Sequence, residues 1–156
     1  MIKKTIITTF AALFCLLTAI YCLDPGRKAT LALLKEKGKT ATKDYMLSSQ
    51  SVTSIASDRR ELVWIGTSAG INVYDGKDYV QFSYDINDTT ALPDDYINVL
   101  HLDRKGRMWV GTQNGLARYV GGYRFHRIPL PGENDNIIAI EDSPEKHDSL
   151  AILVSD

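Results

Sequence analysis

The sequence predicts an all-β fold, a partial β-propeller of about two and a half four-stranded antiparallel blades after an N-terminal apolar signal or anchor helix. Three observations predict it. Short runs rich in β-branched and aromatic residues begin at Ser51, tight-turn sequences separate these runs, and the whole unit recurs after 45 residues. Four short strands per unit of this length are typical of propeller blades, whereas helical repeats would show a 3.6-residue periodicity.

The N-terminal residues 1–23 have the pattern of a secretory signal peptide or a signal anchor. Lys3 and Lys4 supply a positively charged start, and residues 6–23 carry no charge before Asp24. A spanning helix needs roughly 17 to 25 apolar residues, so this length fits both a cleaved leader and a retained anchor. We therefore expect an exported, periplasmic protein, with anchoring in the inner membrane through residues 6–23 as the open alternative to cleavage.

The two cysteines, Cys15 and Cys22, both lie in this apolar segment. The exported part then has no thiol, which excludes a disulfide framework and a cysteine-ligated metal from it. Lipidation of Cys22 is disfavoured, because the bulky Tyr21 precedes it where a lipoprotein carries a small residue.

After the apolar segment, residues 24–50 are rich in Lys, Thr and Ser and are interpreted as a linker. We assign residues 51–95 to blade 1, residues 96–136 to blade 2 and residues 137–156 to the start of a degenerate blade 3. Hairpin-length turns separate the four predicted strands of blade 1, which are Val52–Asp58, Leu62–Thr67, Ile71–Asp75 and Tyr79–Tyr84.

The repeat is visible when residues 58–76 are laid over residues 103–121 without a gap. Eight of the nineteen positions are identical, where average composition predicts about one. The identical pairs are Asp58/Asp103, Arg59/Arg104, Trp64/Trp109, Gly66/Gly111, Thr67/Thr112, Gly70/Gly115, Tyr74/Tyr119 and Gly76/Gly121. Because every blade needs the same packing contacts and the same turns, we interpret the repeated residues as a structural motif.

The Trp and first Gly of the motif are expected to shape the contact between blades. Trp64 and Trp109 would be buried between neighbouring blades, with the indole N–H donating to a backbone acceptor. Gly66 and Gly111 lie inside strands, where Gly is unfavourable unless another group approaches closely. We expect them to make room beside a Trp.

The remaining motif residues are expected in turns. Gly70 and Gly115 would end three-residue hairpin loops with a positive φ. Asp58 and Asp103 precede basic turns and would accept hydrogen bonds from the backbone ahead of them. A catalytic role for these carboxylates is disfavoured, because no partner acid or base accompanies either copy.

The third copy is degenerate. When Leu150–Asp156 is aligned with Leu62–Ser68, Ile152 takes the place of the Trp and Val154 takes the place of the Gly. This alignment requires a longer turn between the first two strands of blade 3.

The chain shows no pattern typical of catalysis, of a cofactor or of a metal site. His101, His126 and His147 are isolated from one another and from any Cys. The polar loop of residues 85–90 lacks the turn Gly and closing Glu of a calcium-binding EF-hand loop, so we interpret it as a connection between blades. A net charge of −1 with mixed signs gives no indication of nucleic-acid binding.

Two segments carry a resemblance to a known family. SVTSIASDRRELVWIGTSAGINVYDG and YINVLHLDRKGRMWVGTQNGLARYVGG resemble the two-component regulator propeller repeat, in which Leu-Trp-Ile-Gly-Thr precedes Gly-Leu-x-x-Tyr. Glu61 replaces the usual turn Gly in the first copy. The resemblance covers roughly residues 47–142 and implies the periplasmic sensor region of a hybrid two-component histidine kinase. The kinase, phosphoacceptor His and receiver domains of that family are absent from this chain.

The resemblance implies an exported sensor segment, without enzyme activity of its own, whose extracellular ligand is a poly- or oligosaccharide. It also implies a dimer in the full-length sensor. The alternative is a truncated propeller that binds or scaffolds without signalling. Propellers typically close with four to eight blades, so we expect further blades or chains as partners. The ligand-binding residues stay unassigned at this stage.

Overall fold

The computed structural model describes residues 47–131, 135–144 and 148–155. The predicted signal or anchor segment and most of the linker lie outside these ranges. Within them the chain forms ten strands, which confirms the predicted all-β class. No helix long and apolar enough to span a membrane occurs among these residues.

The strands form three antiparallel sheets of four, four and two strands. Blade 1 consists of β1 (Val52–Ser57), β2 (Val63–Thr67), β3 (Gly70–Tyr74) and β4 (Tyr79–Phe82). Blade 2 consists of β5 (Ile97–Leu102), β6 (Met108–Thr112), β7 (Gly115–Gly121) and β8 (Arg124–Ile128). Blade 3 begins with β9 (Ile137–Asp142) and β10 (Leu150–Val154). The strands of each sheet are neighbours in chain order, as in propeller blades.

The connections lie at two opposite ends of the strands, because successive antiparallel strands reverse direction. We call the end with turns 68–69 and 113–114 and loop 83–96 the first rim. The second rim carries the turns at 58–62 and 103–107.

All three sheets pair their first two strands in one register. Val52 lies opposite Thr67 in blade 1, Ile97 lies opposite Thr112 in blade 2, and an irregularity follows each pair. In blade 3 the corresponding pair is Ile137 and Val154, with the same irregularity. Equivalent positions in the three blades can therefore be assigned from pairing.

This register corrects the alignment of the third copy. The pairs Ala139–Leu153 and Glu141–Ala151 put Leu153 at the position of the motif Gly and Ala151 at the position of the motif Trp. The predicted equivalence of Ile152 with Trp and Val154 with Gly is wrong by one residue. The physical reason is the longer turn between β9 and β10, whose length no local pattern determines.

The hydrophobic core lies between the blades. One cluster joins blades 1 and 2 and includes Trp64, Ile71, Phe82, Leu100 and Val110. A second cluster joins blades 2 and 3 through Trp109, Leu116, Ile137 and Ile140, with Ile152 partly buried against it. Each sheet thus buries a face only where a neighbouring sheet covers it.

Candidate functional site

The repeated Asp of blade 2 organises both a turn and a Trp on the second rim. Asp103 Oδ1 accepts hydrogen bonds from the amides of Lys105 at 3.0 Å and Arg107 at 2.8 Å. Asp103 Oδ2 accepts a hydrogen bond from Trp109 Nε1 at 2.9 Å. The predicted backbone acceptor for the indole is therefore wrong, since a carboxylate already present in the turn lies within reach.

Blade 1 repeats this arrangement with longer contacts. Asp58 Oδ1 accepts from the amides of Arg60 at 2.9 Å and Leu62 at 3.0 Å. Trp64 Nε1 lies 3.4 Å from Asp58 Oδ2. Glu61 has a φ of 61°, the backbone conformation that Gly106 adopts in the second copy with a φ of 79°. The recurrence of Asp and Trp at the same separation was the signal in the sequence that could have identified this pair.

The environment of Asp103 stabilises its charged form. Burial raises the pKa of Asp103, but hydrogen bonds from Trp109 and Arg107 and the charge of Arg107 outweigh this and lower the pKa to about 2. Arg107 Nε lies 2.5 Å from Asp103 Oδ2. The carboxylate is a buried, fully engaged structural anion, which leaves no free acid for proton transfer.

Charged side chains of the second rim connect blades 2 and 3. Arg107 Nη2 lies 3.1 Å from Asp148 Oδ1, and Lys105 Nζ lies 2.5 Å from Asp148 Oδ2. Further in, His101 Nε2 lies 3.5 Å from Asp142 Oδ2. The exposed ion pairs of Asp148 contribute little stability individually. They connect the second rim of blade 2 to the turn between β9 and β10.

The histidines do not come together in the described part of the chain. His101 lies on β5 and His126 lies exposed on β8, while His147 falls outside the described residues. Among the described residues no three His, Cys, Asp or Glu side chains are placed to hold a metal ion.

The first motif Gly accepts an aliphatic side chain of the next blade. A Cβ placed on Gly66 would lie 2.7 Å from Cγ2 of Ile97, and one placed on Gly111 would lie 2.6 Å from Cγ2 of Ile137. We call these positions the Gly66 and Gly111 sockets. The sequence predicted space beside a Trp. The space at Gly66 is instead filled by Ile97 of the following blade, and the space at Gly111 is filled by Ile137 of the following blade and by Val99 of the same blade.

The motif Thr closes the hairpin on the first rim. Thr112 Oγ1 donates to the carbonyl of Gly115 at 2.8 Å and accepts from the amide of Asn114 at 3.2 Å. Thr67 makes the same two bonds to Gly70 and Ala69, at 2.9 Å and 3.0 Å. Both Thr side chains are fully buried.

The second motif Gly follows that Thr across a two-residue loop. Gly70 pairs with Thr67 and Gly115 pairs with Thr112, so the predicted three-residue loops are one residue too long. The φ values of 106° and 130° agree with the predicted positive φ. A Cβ on Gly70 would also lie 2.2 Å from the carbonyl oxygen of Phe82, so two constraints favour Gly there.

The motif Tyr contacts the preceding blade. The ring of Tyr119 packs edge-on against Trp64 with centroids 4.9 Å apart, and Phe125 packs edge-on against Phe82 at 5.3 Å. Tyr119 also packs on Phe125 of its own blade at 5.4 Å, and the equivalent pair in blade 1 is Tyr74 stacked on Tyr79 at 4.6 Å. Among the described residues, the motif Tyr of blade 2 therefore contacts a Trp of the other blade as well as its strand neighbour, whereas that of blade 1 contacts its strand neighbour.

The loop of residues 83–96 on the first rim is held by Arg127, a residue that the repeat did not single out. Arg127 Nη2 donates to the carbonyl of Leu92 at 2.9 Å and Arg127 Nε donates to that of Ala91 at 3.2 Å. Its guanidinium lies 5.8 Å from the ring centroid of Tyr84. Arg127 could not be found from sequence, because its partners are backbone carbonyls of another blade connection.

The carboxylates at the start of this loop serve turns. Asp85 Oδ1 accepts from the amide of Asn87 at 2.9 Å, and Asp88 Oδ1 accepts from the amide of Thr90 at 2.8 Å. The segment connects β4 to β5, as expected for a loop between blades.

Comparisons with known proteins agree with this geometry. A family profile described as "Two component regulator propeller" matches residues 46–69 and 91–114. A comparison with curated proteins finds no match.

Two similar solved structures are described as extracellular domains of hybrid two component systems from B. thetaiotaomicron. The BT3049 domain is 20% identical with a TM-score of 0.61 over 73% of this chain, and the BT4673 domain is 21% identical with a TM-score of 0.58 over 72%. The chain spans only 17% and 15% of those two structures. This likeness supports the propeller fold, and the first two strands of blades 1 and 2 lie in the segments that match the two component regulator propeller profile.

Proposed function

We propose that the chain is an exported sensor segment of a two-component signalling protein, whose propeller recognises an extracellular poly- or oligosaccharide. The twofold match to the regulator propeller profile carries this proposal. It is supported by the fold likeness to extracellular domains of hybrid two component systems. Because the chain spans less than a fifth of those domains, export, dimerisation and signal output are all parts of the proposal.

The first rim offers a surface suited to such a ligand. Tyr84 and Tyr96 are exposed there, together with Ile86 at the tip of the loop. The amide of Tyr84 donates to Asp95 Oδ1 at 2.6 Å, which places the two tyrosines in neighbouring backbone segments. A Tyr ring can lie against the apolar face of a sugar while its hydroxyl forms a hydrogen bond.

The motif carboxylates are engaged in the fold. Asp58 and Asp103 are each engaged with turn amides and an indole, so their charge serves the fold. In a sensor of this kind, the ligand would act by favouring one arrangement of blades or subunits over another.

An oligosaccharide array probed with the full chain tests this proposal. We expect binding to a subset of glycans, at least tenfold weaker for Tyr84→Ala and Tyr96→Ala. Lys77→Ala is the control, because Lys77 is exposed in the hairpin between β3 and β4 at the opposite end of the strands. Absence of binding to every glycan would contradict the ligand class, and unchanged binding by both Tyr variants would contradict the placement on the first rim.

A further inference from the structure

Three pairs of residues occupy equivalent positions on the first rim, one pair in each blade. In every pair, the residue that follows the second strand donates its amide hydrogen to the carbonyl of the residue that precedes the first strand. The distances are 3.1 Å, 3.0 Å and 3.0 Å in the pairs Ser51–Ser68, Tyr96–Gln113 and Asn136–Ser155. Because the backbone contact is the same, the three blades show which side chains the fold itself needs at these positions.

Blades 1 and 3 carry small polar side chains that form hydrogen bonds within the chain. In blade 1, Ser68 Oγ and Ser49 Oγ share a hydrogen bond at 2.8 Å. In blade 3, Asn136 Nδ2 donates to Ser155 Oγ at 2.8 Å, and Asn136 Oδ1 accepts from Asn98 Nδ2 at 2.7 Å. These side chains are therefore explained by contacts inside the protein.

Blade 2 departs from this pattern. Tyr96 is exposed at 39%, and both Gln113 and the next residue of the turn, Asn114, are exposed as well. Opposed residues of antiparallel strands present their side chains on the same side of the sheet, so the Tyr ring and the Gln amide are neighbours. The other two blades show that the fold does not require a large ring or a long amide here.

These side chains are uncharged and suit a neutral sugar. A carboxamide both donates and accepts hydrogen bonds, which matches the neighbouring hydroxyl groups of a pyranose. A Tyr ring offers an apolar surface for the face of the same sugar. Carboxylates are instead recognised most strongly by the charged donors of Arg. The chemistry of the blade 2 pair therefore favours a sugar without a charge.

The charges next to Tyr96 also disfavour an anionic sugar. Asp94 Oδ1 accepts a hydrogen bond from the amide of Tyr96 at 2.7 Å, and Asp95 lies between these two residues in the chain. Arg127 is engaged with backbone carbonyls of the loop 83–96. A carboxylate or sulfate bound against Tyr96 would meet two negative charges at short range, which is unfavourable.

We propose that Tyr96, Gln113 and Asn114 of blade 2 form a subsite for one neutral sugar unit of an oligosaccharide. The inference rests on the proposed function, because it names the class of oligosaccharide that the first rim takes. The Tyr96 ring would lie against the apolar face of the sugar, and the amides of Gln113 and Asn114 would pair with hydroxyl groups at its edge. The equivalent positions of blades 1 and 3 would not contact the sugar.

Matched pairs of oligosaccharides test the charge of the ligand. The full chain is titrated with oligomers of galacturonate, mannuronate and glucuronate, and with the same oligomers after reduction of every carboxyl group to the neutral sugar. We expect the neutral member to bind roughly tenfold tighter or more in each pair that binds. Tighter binding of an anionic member would overturn the inference and leave the proposed function intact. Absence of binding across these pairs would overturn the inference, and absence across the wider array would contradict the proposed function as well.

Gln113→Ser tests the place of the subsite, because Ser is the residue that blades 1 and 3 carry at the equivalent position. We expect roughly tenfold weaker binding of the neutral oligosaccharide and an unchanged midpoint of thermal unfolding. Ser68→Ala in blade 1 is the matched control and should leave the affinity within about twofold. Unchanged binding by Gln113→Ser, or an equal loss in Ser68→Ala, would overturn the assignment to blade 2.

Discussion

Trp109 Nε1 lies 2.9 Å from Oδ2 of Asp103, the residue that opens the turn before its own strand. The same carboxylate also accepts a hydrogen bond from the amide of Arg107 and contacts the guanidinium of that residue. One buried anion thus joins a turn, an inter-blade Trp and an ion pair. Removing its charge should therefore affect folding more than any single contact would suggest.

Asp103→Asn should lower the free energy of unfolding by about 2 kcal/mol, because the carboxylate's pKa of about 2 lies below its ordinary value of 3.8. Urea denaturation of the full chain measures this. Asp58→Asn is the matched control and should cost less, since its Trp contact is longer at 3.4 Å. An equal loss in both variants would contradict a special role for Asp103.

The same carboxylate predicts an acid dependence of stability. The pKa of Asp103 is lowered in the folded chain, so the unfolded chain binds more protons as the pH falls. Its contribution is complete above the unfolded pKa of 3.8 and is lost as the pH falls towards about 2. We expect the stability difference between wild type and Asp103→Asn to shrink across this range. A difference independent of pH would show that the charge is not responsible.

Gly66→Ala should destabilise the chain by roughly 1 to 3 kcal/mol through overpacking, because the new Cβ would lie 2.7 Å from Cγ2 of Ile97. A double-mutant cycle with Ile97→Ala isolates this contact. We expect the double variant to cost less than the sum of the two single variants, since the second change removes the clashing group. Additive costs would place the effect of Gly66→Ala elsewhere.

Thr112→Val should cost roughly 1 to 3 kcal/mol, because it leaves the carbonyl of Gly115 and the amide of Asn114 without their side-chain partner. Thr112→Ser keeps the hydroxyl and is the control. Thermal unfolding of both variants measures the difference. A Ser variant as unstable as the Val variant would mean that the methyl group, not the hydrogen bonds, stabilises the hairpin.

Arg127→Ala should accelerate amide hydrogen exchange in residues 84–92, because Arg127 donates to the carbonyls of Ala91 and Leu92. Arg124→Ala on the same strand is the control, since Arg124 is exposed. Mass spectrometry of exchanged peptides measures the rates. Equal exchange in both variants would show that the loop is held by other contacts.

The strands and the repeat were predictable because both depend on local patterns. The strands follow from the alternation around Trp64 and Trp109, and the turns follow from Gly residues with positive φ and from turn-forming Asp residues. Each of these patterns spans only a few positions. The contacts of these residues were less predictable. The acceptor of the Trp109 indole depends on how the turn before its strand folds back. The side chain that fills the Gly66 socket depends on which strand of the next blade packs there.

The register of blade 3 shows the same limit. Ile152 and Val154 aligned well with the motif, yet pairing across a longer turn puts Ala151 and Leu153 at the Trp and Gly positions. A shift of one residue reverses which side chains face the neighbouring blade. Sequence alone therefore predicted a degenerate copy, but it could not identify which residue occupies the position of the motif Gly.

The sequence by itself determined the class of fold, the period of the repeat and the residues that recur, because short-range periodicity and turn chemistry encode them. Only the tertiary structure decided that Ile97 fills the Gly66 socket, that Asp103 holds Trp109, and that Val52 and Ile55 lie on an open face while their equivalents are buried. Those facts depend on whether another blade is present at a given face, which is a property of packing between distant segments.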